Sequence, residues 1–215
     1  MAMGNAQKND GSKVYFLSER SGKKFTSPHF VVRVKQEDGQ VVDNGSITEF
    51  SGDLISVKFS DKYNEKTPKG LELANQYGNR KIVRITLKDE ELKEVYSTEL
   101  SFSMMTRSFF NALLNLDTND NLKIGIYRDR KTNYDRLSLR QNDIVVKWKY
   151  EISELPPVET TEFKGKKLID TDNVDSFLLT KLQEKFGKPL AETQKEESQD
   201  QHQNQNEQVV EEVPF

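Results

Sequence analysis

The chain has 215 residues, 32 Lys plus Arg against 35 Asp plus Glu, two His and no Cys, for a net charge of −3. Without Cys there is no disulfide, no thiolate zinc site and no thiol nucleophile. The hydrophobic fraction of 34% falls below the roughly 45 to 50% of ordinary globular domains, so part of the chain is expected to stay unfolded.

The charge is divided unevenly. From Leu190 to Phe215 seven acidic residues face one base, Lys195, giving −6 and leaving +3 on residues 1–189. Three regions follow: a polar N-terminus at 1–12, expected to be disordered, a body at 13–189, and an acidic tail at 190–215, also expected to be disordered. The length suits one β-rich domain with an appendage. No run approaches 18 apolar residues and the first residues hold no apolar h-region, so a soluble, cytoplasmic protein without a membrane partner is expected.

In the body, runs rich in β-branched and aromatic residues predict strands at 14–17, 30–35, 54–59, 81–88, 95–102, 123–130, 134–140 and 144–150. With Gly, Asn and Asp between them, they point to a sandwich or barrel rather than to βαβ units. Met105, Phe109, Ala112, Leu113 and Leu116 recur at helical spacing behind Ser103, a suitable N-cap, and predict a helix between strands. One helix after the third strand is the order of the oligonucleotide-binding (OB) barrel, although eight strands require extra hairpins. A second helix is predicted over 174–186, stopped by Gly187 and Pro189. Its apolar side, Val174, Phe177, Leu178, Leu182 and Phe186, is expected to pack on the barrel, with a homo-oligomer contact as the alternative. The fold read from these elements is mainly β: an OB-fold-like antiparallel barrel with one inserted helix, a C-terminal helix and the acidic tail.

The last three predicted strands carry the strongest functional pattern. Ile124 and Ile126, then Leu137 and Leu139, then Ile144, Val146, Trp148 and Tyr150 alternate with polar positions. In an antiparallel meander, pairing Ile126 with Leu137 and Leu137 with Val146 gathers the apolar sets on one side, and a one-residue slip destroys the sorting. Trp148 then belongs to the core side. The other side carries Lys123, Tyr127, Tyr134, Arg136, Arg140, Lys147 and Lys149, which Arg33 and Lys35 extend. Lys62, Tyr63, Lys66, Lys69, Tyr77 and Arg80, in a predicted loop, are further candidates. Rings interleaved with cations on an open sheet suit single-stranded nucleic acid, whose bases stack on Tyr while Lys and Arg meet phosphates. A solvated outer face, with Tyr present for strand propensity, is the plainer reading of the same pattern.

From Glu192 to Gln208 the sequence has no aromatic or large aliphatic side chain and is expected to be a flexible linker. It leads to Val209, Val210, Glu211, Glu212, Val213, Pro214 and Phe215. An apolar tip on a polar run is poorly explained by solubility. The Phe215 ring and carboxylate suit a small pocket with a basic rim, while Glu211 and Glu212 suit nearby Lys or Arg. A linker of about 25 residues reaches roughly 25 to 30 Å.

The ending EEVPF (Glu211, Glu212, Val213, Pro214, Phe215) resembles the acidic Pro-Phe tips of bacterial single-stranded DNA-binding proteins (SSBs). Acidic tails ending in Phe also occur in phage SSBs. The run YDRLSLRQNDIVVKWKYEISELPPVE, Tyr134 to Glu159, looks more loosely like the last hairpin of phage SSBs. The body is longer than the bacterial OB domain and shows none of that family's stacking positions, which favours the phage type. The resemblance implies coating of unwound strands during replication, repair or recombination, and recruitment of replication or recombination proteins through the tip.

No catalytic constellation, cofactor fingerprint or metal set is recognisable. His202 lies in the polar run and His29 stands alone ahead of a strand, while the acids at 89–91, 117 and 120 fall in turns. A non-enzymatic protein is therefore expected. The competing readings are a structural or scaffold β-protein, such as a virion component with a docking tail, and an RNA-binding or strand-annealing protein using the same face.

Overall fold

Eleven strands and three helices form among residues 12–36, 38–163 and 166–187, the part of the chain that the computed structural model describes. In chain order they are β1 (Lys13–Arg20), β2 (His29–Lys35), β3 (Val41–Ile47), β4 (Glu49–Asp61), α1 (Pro68–Tyr77), β5 (Lys81–Asp89), β6 (Glu94–Ser101), α2 (Met104–Leu113), β7 (Leu122–Arg128), β8 (Asp135–Gln141), β9 (Ile144–Val145), β10 (Glu159–Phe163), β11 (Lys166–Asp170) and α3 (Asp172–Phe186). The predicted extremes, 1–12 and 190–215, fall outside the described residues except for Ser12.

Nine strands make one sheet in the order β3-β2-β1-β6-β5-β4-β7-β8-β9, and β10 pairs with β11 as a separate hairpin. The expected antiparallel barrel is corrected in two respects. No ladder joins the end strands β3 and β9, so the sheet is not closed, and β1 runs parallel to β6. The curl comes from β4, which pairs through its first residues with β7 and through the rest with β5. Gly52, at φ +147°, and a register shift between Leu54 and Ser56 bend it there; a Cβ at Gly52 would lie 2.5 Å from the Lys88 carbonyl oxygen. Only Thr48 separates β3 from β4, and its carbonyl accepts from the Ile126 N–H at 2.8 Å. Strands β2 and β7 are thereby brought into contact without a ladder.

Side chains complete the junction. Gly22, in the β1–β2 loop, donates its N–H to Asp135 Oδ2 at 2.6 Å, and the Arg128 guanidinium donates to the carbonyls of Gly22 at 3.2 Å and Phe25 at 3.3 Å. Arg128 and Asp135 are themselves paired at 2.7 Å. The start of β8 thus sits beside the end of β1.

Apolar alternation drives the core. Phe30 meets Phe50 edge-on with centroids 5.3 Å apart, Phe50 meets Tyr96 at 5.7 Å, and Tyr96 stacks on Tyr15 at 5.4 Å. Ile124, Ile126, Leu137 and Leu139 join Phe109, Phe110 and Leu113 of α2 in the same core. Ser103 caps α2, its N–H donating to the Thr106 hydroxyl at 2.9 Å. The predicted apolar side of α3 is buried at Val174, Leu178, Leu182 and Phe186, and Phe177 packs edge-on against Tyr150 at 5.1 Å. Arg107 pairs with Asp175, and Lys185 Nζ donates to the Leu114 and Leu116 carbonyls at 3.0 and 2.6 Å, where the dipole of α2 favours a cation. The C-terminal helix therefore packs on the body.

Helix α1 is a second inserted helix that the apolar periodicity did not indicate. Its start is nevertheless written locally, with Thr67 accepting from the Gly70 N–H and Pro68 opening the first turn.

The third strand of the meander also departs from expectation, ending at Val145 instead of Tyr150. Asn142 and Asp143, at φ +50° and +61°, form a two-residue turn that pairs Gln141 with Ile144 and Arg140 with Val145, so Leu137 does not face Val146. Asn111, 3% exposed on α2, then captures the chain. Its Oδ1 accepts from the Lys149 and Tyr150 N–H groups at 3.1 and 2.9 Å, and its Nδ2 donates to the Tyr150 carbonyl at 2.8 Å. Asn111→Ala removes three part-buried hydrogen bonds that hold this segment and is expected to cost about 1 to 2 kcal/mol in denaturant unfolding.

Candidate nucleic-acid interface

The β7–β8 ladder pairs Ile126 with Leu137 and Tyr127 with Arg136. The apolar partners face the core, all 5% exposed or less. On the outer side the register makes three rows: Tyr127 with Arg136; Glu49 with Gly125 and Ser138; and Ser51 with Lys123 and Arg140. Tyr127 is 46% exposed and Tyr134, just beyond the strand, 52%. Gly125 has no unusual φ to explain it. A Cβ there would come within 2.8 Å of Ser138 Oγ, so the surface stays low at Gly125 and Ser138, while Glu49 of the same row is exposed. Beside it lies a groove of about 440 Å³ lined by Ser27, His29, Ser46, Thr48 and Glu49.

Three acids moderate the charge of this face: Glu49 stands exposed in the middle row, and the other two pair with its cations. Lys123 Nζ meets Asp143 at 2.6 Å, and their hydrogen bond lowers the Asp143 carboxyl below its ordinary range and raises the lysine above its own. Arg136 meets Asp129 at 3.4 Å. The Lys131 and Thr132 N–H groups, which bind Asp129 at 2.8 and 3.3 Å, hold its carboxyl low. Both pairs are reached by solvent, which screens them, so neither holds its cation tightly.

The remaining predicted residues are distributed differently. Arg140, Lys147 and Lys149 are exposed, but the last two lie on the segment that Asn111 diverts and belong to no ladder. Trp148, assigned by alternation to the core, is 44% exposed on that segment. Arg33 and Lys35 stand on β2, with four strands between it and β7 in the sheet order, and Arg33 is held by Asp43 at 3.0 Å. Lys62, Lys66, Lys69, Tyr77 and Arg80 are exposed around α1; Asn79 ties that loop by bonds to the Tyr63 N–H and carbonyl, both at 3.0 Å. The tip, Glu211 to Phe215, lies outside the described residues.

Sequence reasoning passed over Arg130 and Lys131, exposed in the loop joining the two strands of the face. Their position between paired strands was the available signal. It also gave Arg128 no role, although alternation puts that residue with the core side.

Among the described residues, no group of three or more His, Asp or Glu is arranged to hold a metal ion, and no helix is long and apolar enough to cross a membrane. Comparison of the chain with protein families, curated proteins and solved structures finds no match.

Proposed function

We propose that this protein is a single-stranded DNA-binding protein of the phage SSB type. Its body coats unwound DNA without strong sequence preference, and its C-terminal tip recruits replication or recombination proteins. The observation that carries this reading is the β7–β8 face, where exposed Tyr127 and Tyr134 alternate with Lys123, Arg136 and Arg140 around a low row at Gly125 and Ser138. Stacking on such rings is worth about 1 to 3 kcal/mol per base and is indifferent to base identity. Exposed Arg130 and Lys131, in the loop between β7 and β8, enlarge the basic surface.

The strand order supports an OB-type body. Counted from the long bent strand, β4, β5, β6, α2, β7 and β8 give five strands with a helix after the third, and α1 is an insertion between the first two. The hairpin β1–β2 is the addition: β1 takes the edge of β6 where β8 would close a five-stranded barrel, and its loop is bonded to Asp135 and Arg128.

The reading is tested by competition among poly-dT, duplex DNA and RNA of equal length. The protein is expected to be retained on poly-dT and displaced poorly by duplex. Equal retention on single strand and duplex would favour a structural β-protein, and preference for RNA the RNA-binding alternative.

The charge division adds a second prediction. The tail, at −6, competes with DNA for a body of +3. Deleting residues 192–215 is expected to tighten poly-dT binding several-fold at low salt and to leave it unchanged at high salt, measured by fluorescence titration.

A further inference from the structure

The large sheet ends at β9, and no described strand pairs with its outer edge. The Val146 N–H donates to the Leu139 carbonyl at 3.0 Å, and Arg140 stands opposite Val145. Bonds in an antiparallel pair alternate along the strand, so Val145 turns its own N–H and C=O away from β8, toward the open edge. Its side chain, 60% exposed, lies on the outer face, because Ser51, Lys123, Arg140 and Val145 form one continuous row across four strands. Ile144, 73% exposed, belongs to the opposite face. An apolar edge with open backbone groups is a template for another strand. The other end strand is blunted: β3 carries a register shift and Gly45 at φ +92°.

The order of residues along this edge selects the occupant. Asp143, Ile144, Val145, Val146 and Lys147 read acid, three apolar, base. Laid antiparallel on itself about Val145, the segment sets Asp143 against Lys147 on both sides of the dyad and Ile144 against Val146. The same register brings each Val145 N–H to the other's C=O. Lys147 is exposed and has no acidic partner among the described residues. Asp143, also exposed, meets Lys123 through Oδ1 at 2.6 Å, which leaves Oδ2 for a second cation. Ile144 then covers Val146, which packs against the core.

Resting on the single-strand reading above, we infer that two copies of this chain pair through β9 in this register and present one joined binding face. The row of Ser51, Lys123, Arg140 and Val145 continues across the dyad into Val145, Arg140 and Lys123 of the second copy. A strand lying along the row meets the cations of both copies, so each copy completes the other's path.

Sedimentation velocity of the full chain over a concentration series, without DNA, tests the contact. Val145→Pro removes the outward donor and leaves the bonds of β9 to β8, which run through residues 144 and 146, so its melting temperature should stay close to that of wild type. Wild type is expected to dimerise, and Val145→Pro and Lys147→Asp each to weaken the dimer at least about tenfold. Asp143→Lys combined with Lys147→Asp should restore it. With dT oligomers of increasing length, wild-type affinity should rise at least about tenfold once an oligomer reaches the second copy, a step that Val145→Pro lacks. A wild type that stays monomeric, whether its edge is open or covered by the chain's own C-terminal residues, overturns the inference. So do a Val145→Pro dimer as tight as wild type, a charge exchange that restores nothing, and affinity without the step. Short dT oligomers still bind in each of these cases and the single-strand reading survives; a dimer that binds no dT at any length removes that reading and the shared path together.

Discussion

Replacing Tyr127 and Tyr134 together by Ala is expected to weaken poly-dT binding by at least about 30-fold, the loss of two stacking platforms at the lower bound of about 1 kcal/mol each. Both rings are about half exposed, at 46% and 52%, so the double variant should melt within a few degrees of wild type. Fluorescence titration at fixed salt measures the first quantity and circular dichroism the second. Lys123→Ala on the same face removes a phosphate contact instead. It should flatten the salt dependence by about one phosphate while costing less affinity. A stacking loss that salt does not change and a charge loss that salt erases distinguish the two contributions.

Asp135→Asn is expected to have the largest effect on stability. The Asp135 side chain is 7% exposed, accepts from Arg128 and the Gly22 N–H, and through them fastens the β1–β2 loop to the β7–β8 hairpin. Arg128 remains 27% exposed, so the loss is that of charge-assisted hydrogen bonds to a nearly buried carboxylate, about 1.5 to 3 kcal/mol. For a body of this size that corresponds to a melting temperature lower by roughly 3 to 12 °C. The pH dependence follows from the same pair. The hydrogen bond from Arg128 outweighs burial and holds the Asp135 carboxyl below its ordinary range. An unfolded Asp titrates near pH 4, so the pair's contribution is full above about pH 4 and fades as pH falls through the lower folded value. The deficit of Asp135→Asn should therefore be constant from pH 7 down to about 5 and shrink below 4, as read by thermal melts across that range.

How much of this was legible in the sequence depended on the range of the interactions involved. The Ile126–Leu137 register followed from two-residue alternation, because only one pairing buries both strands' apolar sets. The apolar side of α3 and its stop at Gly187 followed from helical periodicity. Trp148 did not. Alternation predicts burial only while the strand continues, and it ends where a turn of two left-handed residues, Asn142 and Asp143, is followed by capture of Lys149 and Tyr150 by Asn111. A single Asn on a helix gives no local sign of a partner 38 or 39 residues away. The parallel neighbour of β6 was equally hidden, since β1 lies far from it in sequence and nothing in either strand's composition names the other. Local periodicity thus exposed the β7–β8 face, whereas the junction that frames it required tertiary structure.

The central claim is that the body binds single-stranded nucleic acid through rings and cations on one sheet face. Titration of the full chain with poly-dT over a series of salt concentrations tests it most directly. The account predicts saturable binding whose logarithm falls linearly with log salt, at a slope near −0.7 per phosphate neutralised, with stacking preserving measurable affinity at high salt. Absence of saturable binding at low salt, or duplex DNA binding as tightly as poly-dT throughout the series, would contradict it.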